Sequence, residues 1–246
     1  MKECSKSINR RMSDPQFINK YFIGDGVDIG GLPDPLYIYK EFFCQLNDVK
    51  TWDLNDGDAQ FMESVKDNTY DFVHSSHCLE HIVDPFVGLK NWVRITKPGG
   101  YIVITIPDED LYEQGEWPPT FNLDHKNSFT IYKEESWCKN SINVFDLVKS
   151  LGNNVELVRL EQLSSNYRFD IPRYDQTLTP VAECGIEIIL RKKTIEEINL
   201  KGRLRIDAKQ PSKELKIHLN QYKNDMQMMK SNNKNSSKPF EDDSDI

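Results

Sequence analysis

Between residues 70 and 106 the chain carries one uninterrupted structural pattern. Tyr70-Asp71-Phe72-Val73-His74-Ser75 reads as a strand. From Asp84-Pro85 to Thr96, the residues Phe86, Leu89, Trp92, Val93 and Thr96 recur at spacings of three and four, which gives a helix one apolar face. Lys97-Pro98-Gly99-Gly100 is a tight turn that stops this helix. Tyr101-Ile102-Val103-Ile104-Thr105-Ile106 then follows as a nearly continuous apolar run, the pattern of a strand buried on both faces. Strand, helix, turn and strand in that order form a βαβ unit. Its second strand can be buried only if other elements cover both faces of the sheet, so the chain is predicted to be an α/β protein with a mostly parallel sheet.

The flanking segments extend that reading. Val27-Asp28-Ile29 and Val49–Leu54 read as earlier strands, and a helix near 141–151 with strands near Val155–Leu163 and Gly185–Leu190 closes the domain. Residues 1–20 are polar and are read as an N-terminal flap, 21–190 as the globular domain, and 107–140 as a long loop or insertion. After Arg191 the character changes. Residues 191–230 carry a net charge of +6 within a chain whose total is −8, so the body is acidic. An acidic body argues against a nucleic-acid footprint, since phosphate contacts need a basic surface. Pro211-Ser212 starts a helix in which Leu215, Leu219, Tyr222, Met226 and Met229 make a short seam, a candidate homodimer contact or a face docked on its own domain. Residues 231–246 have almost nothing to bury and are predicted to be disordered.

The five cysteines are odd in number, scattered and without a CxxC pair, so they read as reduced thiols in a cytoplasmic protein. No apolar stretch reaches the length of a membrane span, and no apolar run follows the basic start.

Chemistry concentrates at strand ends. In an open parallel sheet, ligands bind beyond the carboxyl ends of the strands. Asp28, Gly30 and Gly31 stand at the end of the first strand, where glycine lets the backbone approach a ligand. The turn lacks GxGxxG, which argues against a pyrophosphate. Asp53 ends the next strand and can accept hydrogen bonds from ribose hydroxyls, and Asp58 with Ala59 follows close behind. His77-Cys78-Leu79-Glu80-His81 matches the H-x-x-E-H zinc pattern, but that motif needs a helix presenting both histidines on one face. Here the histidines come straight off a strand, so no metal is expected.

Asp28-Ile29-Gly30-Gly31, Asp58-Ala59, Tyr70-Asp71-Phe72-Val73, Cys78-Leu79-Glu80-His81, Asp84-Pro85 and Lys97-Pro98-Gly99-Gly100 together resemble the motif series of class I S-adenosylmethionine-dependent methyltransferases. The resemblance covers roughly residues 21–110 in register and continues more loosely to about 190. It implies a Rossmann-like, seven-stranded sheet with helices on both faces, followed here by a C-terminal helical extension. It also implies S-adenosylmethionine as cofactor, held by Asp28, Gly30 and Gly31 at the methionine end, Asp53 at the ribose and Asp58 with Ala59 at the adenine. Ser75, Ser76 and His77 would face the methyl group. Two departures stand out: the first loop is poorer in glycine than the family's, and the gap from Asp53 to Asp58 leaves little room for a helix and a third strand.

Methyl transfer to an alcohol needs a base titrating near neutrality, which means histidine first. His125 and His77 are the catalytic candidates, His125 being favoured because it lies in the insertion after the fifth strand. Glu109, Tyr112 and Trp117 are candidates for lining the acceptor pocket. The expected acceptor is a small molecule, by analogy a sugar or sugar-phosphate hydroxyl in bacterial surface-glycan assembly. The alternatives are a catalytically silent cofactor-binding or interaction protein and a nicotinamide-dependent oxidoreductase.

Overall fold

The structure, a computed structural model, describes residues 2–203 and 213–235. It divides into two units, Met1–Gly202 and Arg203–Ile246.

The first unit opens with helix α1 (Glu3–Met12) and strands β1 (Gly24–Ile29), β2 (Leu46–Trp52) and β3 (Tyr70–Ser76). Helix α2 (Pro85–Ile95) connects β3 to β4 (Thr96–Pro107). The Asp84 side chain accepts from the backbone N–H groups of Phe86 and Val87 and Pro85 occupies the first turn, so α2 starts where its sequence prepares a start. Next come β5 (Ser128–Thr130), β6 (Ser141–Asn143), α3 (Val144–Lys149), β7 (Val155–Leu163), β8 (Gly185–Lys192) and α4 (Ile195–Asn199). The segment expected as a loop is therefore structured in part: β5 and β6 pair in parallel as a separate small sheet.

The main sheet has the order β2-β1-β3-β4-β8-β7. β1 pairs in parallel with β2 and β3, and β3 in parallel with β4, while β8 runs antiparallel to both β4 and β7. Five strands thus share one direction. The sheet has six strands, not the seven the family resemblance implies. The missing strand would have followed Asp53. Instead, residues 53–69 run as turns, pinned by Arg94 of α2, whose guanidinium donates to the carbonyls of Phe61, Met62 and Val65. Seventeen residues that must also cross to the start of β3 are too few for both a helix and a strand.

Alternation along the strands divides the core in two. Val27, Val73, Ile102, Ile104, Ile188 and Leu190 pack with Leu89, Trp92 and Val93 of α2 and Val144 and Leu147 of α3. Phe72, Val103 and Ile189 belong to the other core, with Cys4 and Ile8 of α1 and Phe17, Tyr21 and Phe22 beyond it. Helices therefore cover both faces, and α1 is part of the core packing.

The second unit contains α5 (Lys213–Asn235). Tyr222, Met226 and Met229 of the expected seam lie exposed on α5. The helix includes residues 231–235, which composition assigns to a disordered tail, and residues 236–246 lie outside the described residues.

Candidate active site

Two adjoining cavities lie beyond the carboxyl ends of β1, β2 and β3, one of about 180 Å³ and one of about 600 Å³. Gly30, Leu32, His77 and His81 line both.

Gly30 and Gly31 sit at the junction for reasons of backbone and packing. Gly30 has φ +73°, its N–H donates to the Trp52 carbonyl at 2.8 Å, and a Cβ there would fall 2.6 Å from Cys78 Cβ. A Cβ on Gly31 would fall 2.5 Å from Asp28 Oδ2. The loop closes against its own neighbours before any ligand is considered. Asp28 is buried. Its Oδ2 accepts from Leu36 N at 2.7 Å, and its Oδ1 lies 2.6 Å from His74 Nδ1. The register that pairs Asp28 with His74 across β1 and β3 makes this contact. Burial pushes the Cys78 thiol up to about 12, with Glu80, Asp53 and Asp28 acting in the same direction.

The larger cavity takes Asp53, Asp58 and Ala59 together with Trp52, Ile82 and Val83. Asp53 accepts from the backbone N–H of Leu32 at 3.1 Å and of Leu54 at 2.8 Å, which ties the β1 and β2 loops together and fixes its carboxylate. Asp58 accepts from Gln60 N at 2.7 Å, and the Ala59 carbonyl accepts from Trp92 Nε1 at 2.9 Å.

The smaller cavity is acidic, with Glu3, Asp28, Asp34 and Glu80 in its wall. Glu3 and Cys4 come from α1. Asp34 anchors that helix by accepting from Ser5 N at 2.7 Å. Ser76 also lines this cavity, whereas Ser75 is buried in the sheet, donates to the Ile29 carbonyl at 3.0 Å and lines neither cavity.

His77 has φ +54°, a left-handed conformation uncommon for a side-chain-bearing residue. Its Nδ1 lies 3.4 Å from Glu80 Oε1 and its Nε2 lies 3.7 Å from Glu3 Oε2, and neither ring nitrogen makes a hydrogen bond. Burial alone would depress its pKa, but the carboxylates of Glu3 and Glu80 outweigh burial and hold it above the ordinary histidine value. Glu80 shows the converse. Burial would raise it, while His77, with His125 and His81, keeps its carboxyl below the usual range.

His125, the favoured catalytic candidate, stands away from both cavities. It is buried, lines neither cavity, and its Nδ1 lies 2.7 Å from Glu113 Oε1. Tyr112 is also buried and packs its ring on His125 at 5.0 Å between centroids. Glu109 is buried against Lys133 and Ser136. Neither these two nor Trp117 lines either cavity. From the insertion it is Asn122, Asp124 and Lys126 that reach the cavities. Glu3 and Glu80 were missed by sequence reasoning. Glu80 stood inside the H-x-x-E-H segment, but nothing local marks Glu3.

The residues fit S-adenosylmethionine. The larger cavity offers a fixed carboxylate for a ribose diol and an apolar wall for a base, and the acidic smaller cavity suits the positive charges at the sulfonium and amino groups. Buried oxygens of Glu3 and Glu80 without hydrogen-bond partners mark that cavity as shaped for a polar guest. This site and sheet define a nucleoside-binding α/β enzyme of the Rossmann-like class.

A family model described as a methyltransferase domain matches residues 12–141, more than half of the chain, and the chain belongs to that family. No curated protein matches it significantly. Among solved structures it is similar to an S-adenosylmethionine-dependent methyltransferase from Clostridium acetobutylicum (12% identity, 79% of this chain and 93% of that chain, TM-score 0.49). It is also similar to Haemonchus contortus phosphoethanolamine N-methyltransferase 2 in complex with phosphomonomethylethanolamine and S-adenosylhomocysteine (14% identity, 76% of this chain and 53% of that chain, TM-score 0.45). The protein is an S-adenosylmethionine-dependent methyltransferase. Among the described residues no helix is long and apolar enough to cross a membrane.

Proposed function

We propose that the acceptor is a small molecule carrying a hydroxyl, and that His77 takes its proton. The observation that supports this is the smaller cavity itself: about 180 Å³, walled by α1 on one side and by Asn122 of the insertion on another, with His77 facing it. With the methionine end of the cofactor in the same cavity, the space beside His77 suits a small acceptor group. S-adenosylmethionine supplies an already activated methyl group, so what remains for the protein is alignment and proton removal. Glu3 and Glu80 flank His77 and stabilise a proton on its ring. Asp28, Gly30, Gly31 and Ser76 would hold the methionine end, and Asp53, Asp58 and Ala59 the adenosine.

Within small molecules, the four carboxylates of the smaller cavity favour a neutral sugar hydroxyl over a sugar phosphate, and surface-glycan precursors are the first panel to try. The same reading makes the protein cytoplasmic, with residues 21–190 as the cofactor-binding domain; residues 1–20, expected as a flap, instead pack into its core through α1. It also gives nucleic acid no role and makes α5 a self-association surface.

The test is mass spectrometry of a panel of free sugars, sugar phosphates and amines incubated with isotopically labelled S-adenosylmethionine. A methylated hydroxyl supports the reading, and methylation of amines only would overturn it. S-adenosylhomocysteine binding with no turnover on any member would favour a silent cofactor-binding protein.

A further inference from the structure

We propose that Glu80, His81 and His125 form a binding site for a divalent transition-metal cation. One carboxylate oxygen and one imidazole nitrogen from each histidine lie within 4.8 Å of one another. This is not the H-x-x-E-H arrangement. His77 and His81 share no helix face, since only a single 3₁₀ turn, Leu79–His81, follows the left-handed His77. The pair of histidines is His81 and His125, brought together from two loops.

Their orientation is that of ligands. His81 Nδ1 lies 2.9 Å from the Asp124 carboxylate and 3.2 Å from its carbonyl, and His125 Nδ1 lies 2.7 Å from the Glu113 carboxylate. These partners are acceptors only, so each Nδ1 holds a hydrogen, and in the neutral ring each Nε2 presents its lone pair. The two Nε2 atoms face the same oxygen, Glu80 Oε1, at 3.8 and 3.9 Å. Those distances are too long for hydrogen bonds. Tetrahedral ligands about 2.0–2.2 Å from a shared ion stand about 3.3–3.6 Å apart, so a closure of a few tenths of an ångström lets both nitrogens and the oxygen share one ion. Carboxylates on the far nitrogens are the usual means of fixing metal-bound imidazoles.

The charge of the site points the same way. Glu80 is fully buried and neither of its oxygens accepts a hydrogen bond. Glu113 is equally buried, and among the described residues no lysine or arginine side chain pairs with either carboxylate. Two buried carboxylates faced only by imidazoles are costly without a cation. Two imidazoles and one carboxylate leave coordination positions open, and Glu80 and His81 both line the smaller cavity. A cation held there would orient an oxygen of the acceptor beside His77. That role rests on the methyl-transfer reading, whereas the binding site does not.

The test uses untagged full-length protein, stripped with a chelator and titrated separately with Zn²⁺ and Mn²⁺ by calorimetry, and loaded with Co²⁺ for visible absorption. One equivalent of Zn²⁺ or Mn²⁺ should bind, Co²⁺ should show ligand-field bands, and Glu80→Gln and His81→Gln should each weaken binding tenfold or more. Far-UV circular dichroism and thermal melting of the same samples verify that the variants are folded. Absence of stoichiometric binding of either cation by the wild type, or equal affinity in wild type and both variants, would overturn the proposal. S-adenosylhomocysteine binding without a cation leaves the methyl-transfer reading standing, and a cation without S-adenosylhomocysteine binding does the reverse.

Discussion

His74 Nδ1 lies 2.6 Å from Asp28 Oδ1 with both side chains buried, and Arg11 of α1 determines which way that hydrogen bond runs. Arg11 Nη1 stands 2.9 Å from His74 Nε2. A guanidinium only donates, so Nε2 accepts, Nδ1 carries the hydrogen, and it is donated to Asp28. The N-terminal helix thereby reaches through the sheet to the cofactor loop. Behind it, Arg11 and Arg10 both meet Glu187 of β8, at 3.3 and 2.9 Å.

Removing Arg11 should therefore be expensive. Arg11→Met leaves His74 Nε2 without its donor and removes one of the arginines facing the buried Glu187. Breaking a buried pair this way costs about 3–5 kcal/mol. Urea denaturation should show a loss of that size, and a change under about 1 kcal/mol would mean that Arg11 is not the anchor described.

Glu187 gives a pH dependence with a definite sign. Burial would raise its carboxyl, but Arg11 and Arg10 outweigh burial and hold it below the ordinary range. A depressed carboxyl contributes stability fully above the unfolded value of about 4.3 and loses it as pH falls through the lower folded value. Wild-type stability should thus fall more steeply than that of Glu187→Gln on acidification below about pH 5. Parallel melting curves for the two proteins would refute this.

Gly30→Ala should harm both fold and binding. The positive φ costs a side-chain-bearing residue about 1–2 kcal/mol, and the new Cβ would press on Cys78. Thermal melting should fall and S-adenosylhomocysteine affinity should drop with it, since Gly30 lines both cavities.

Asp53→Asn should weaken S-adenosylhomocysteine binding. Hydrogen bonds to a charged group contribute about 1.5–3 kcal/mol, so calorimetry should show an affinity loss of roughly 10- to 100-fold. NAD should not bind with comparable affinity to the wild type, because the Gly30-Gly31 loop lacks the third glycine of a pyrophosphate turn.

His77→Asn keeps a residue that tolerates the left-handed conformation while removing the imidazole. Turnover on the true acceptor should fall by about 10²- to 10⁴-fold, the usual contribution of general acid–base catalysis. Unchanged kcat would remove His77 from the reaction.

The sequence by itself determined the β3-α2-β4 unit, the helix start at Asp84-Pro85 and the strand-end placement of Gly30, Asp53 and His77, while Lys97–Gly100, which reads as a turn, belongs to the start of β4. Each is written in neighbouring residues, because strand and helix periods and turn chemistry act over a few positions. The short Asp53-to-Asp58 gap even foreshadowed the loss of one strand. Only the tertiary structure decided what meets at the site. Arg11 reaches His74 across 63 residues and Arg10 reaches Glu187 across 177, contacts with no local period. His125 reads as a polar loop histidine until Glu113, twelve residues earlier, turns its ring and points Nε2 toward Glu80. Burial then does the rest: Glu80 sits among three imidazoles, and the surroundings that set its charge come from separate loops whose packing no short stretch of sequence encodes.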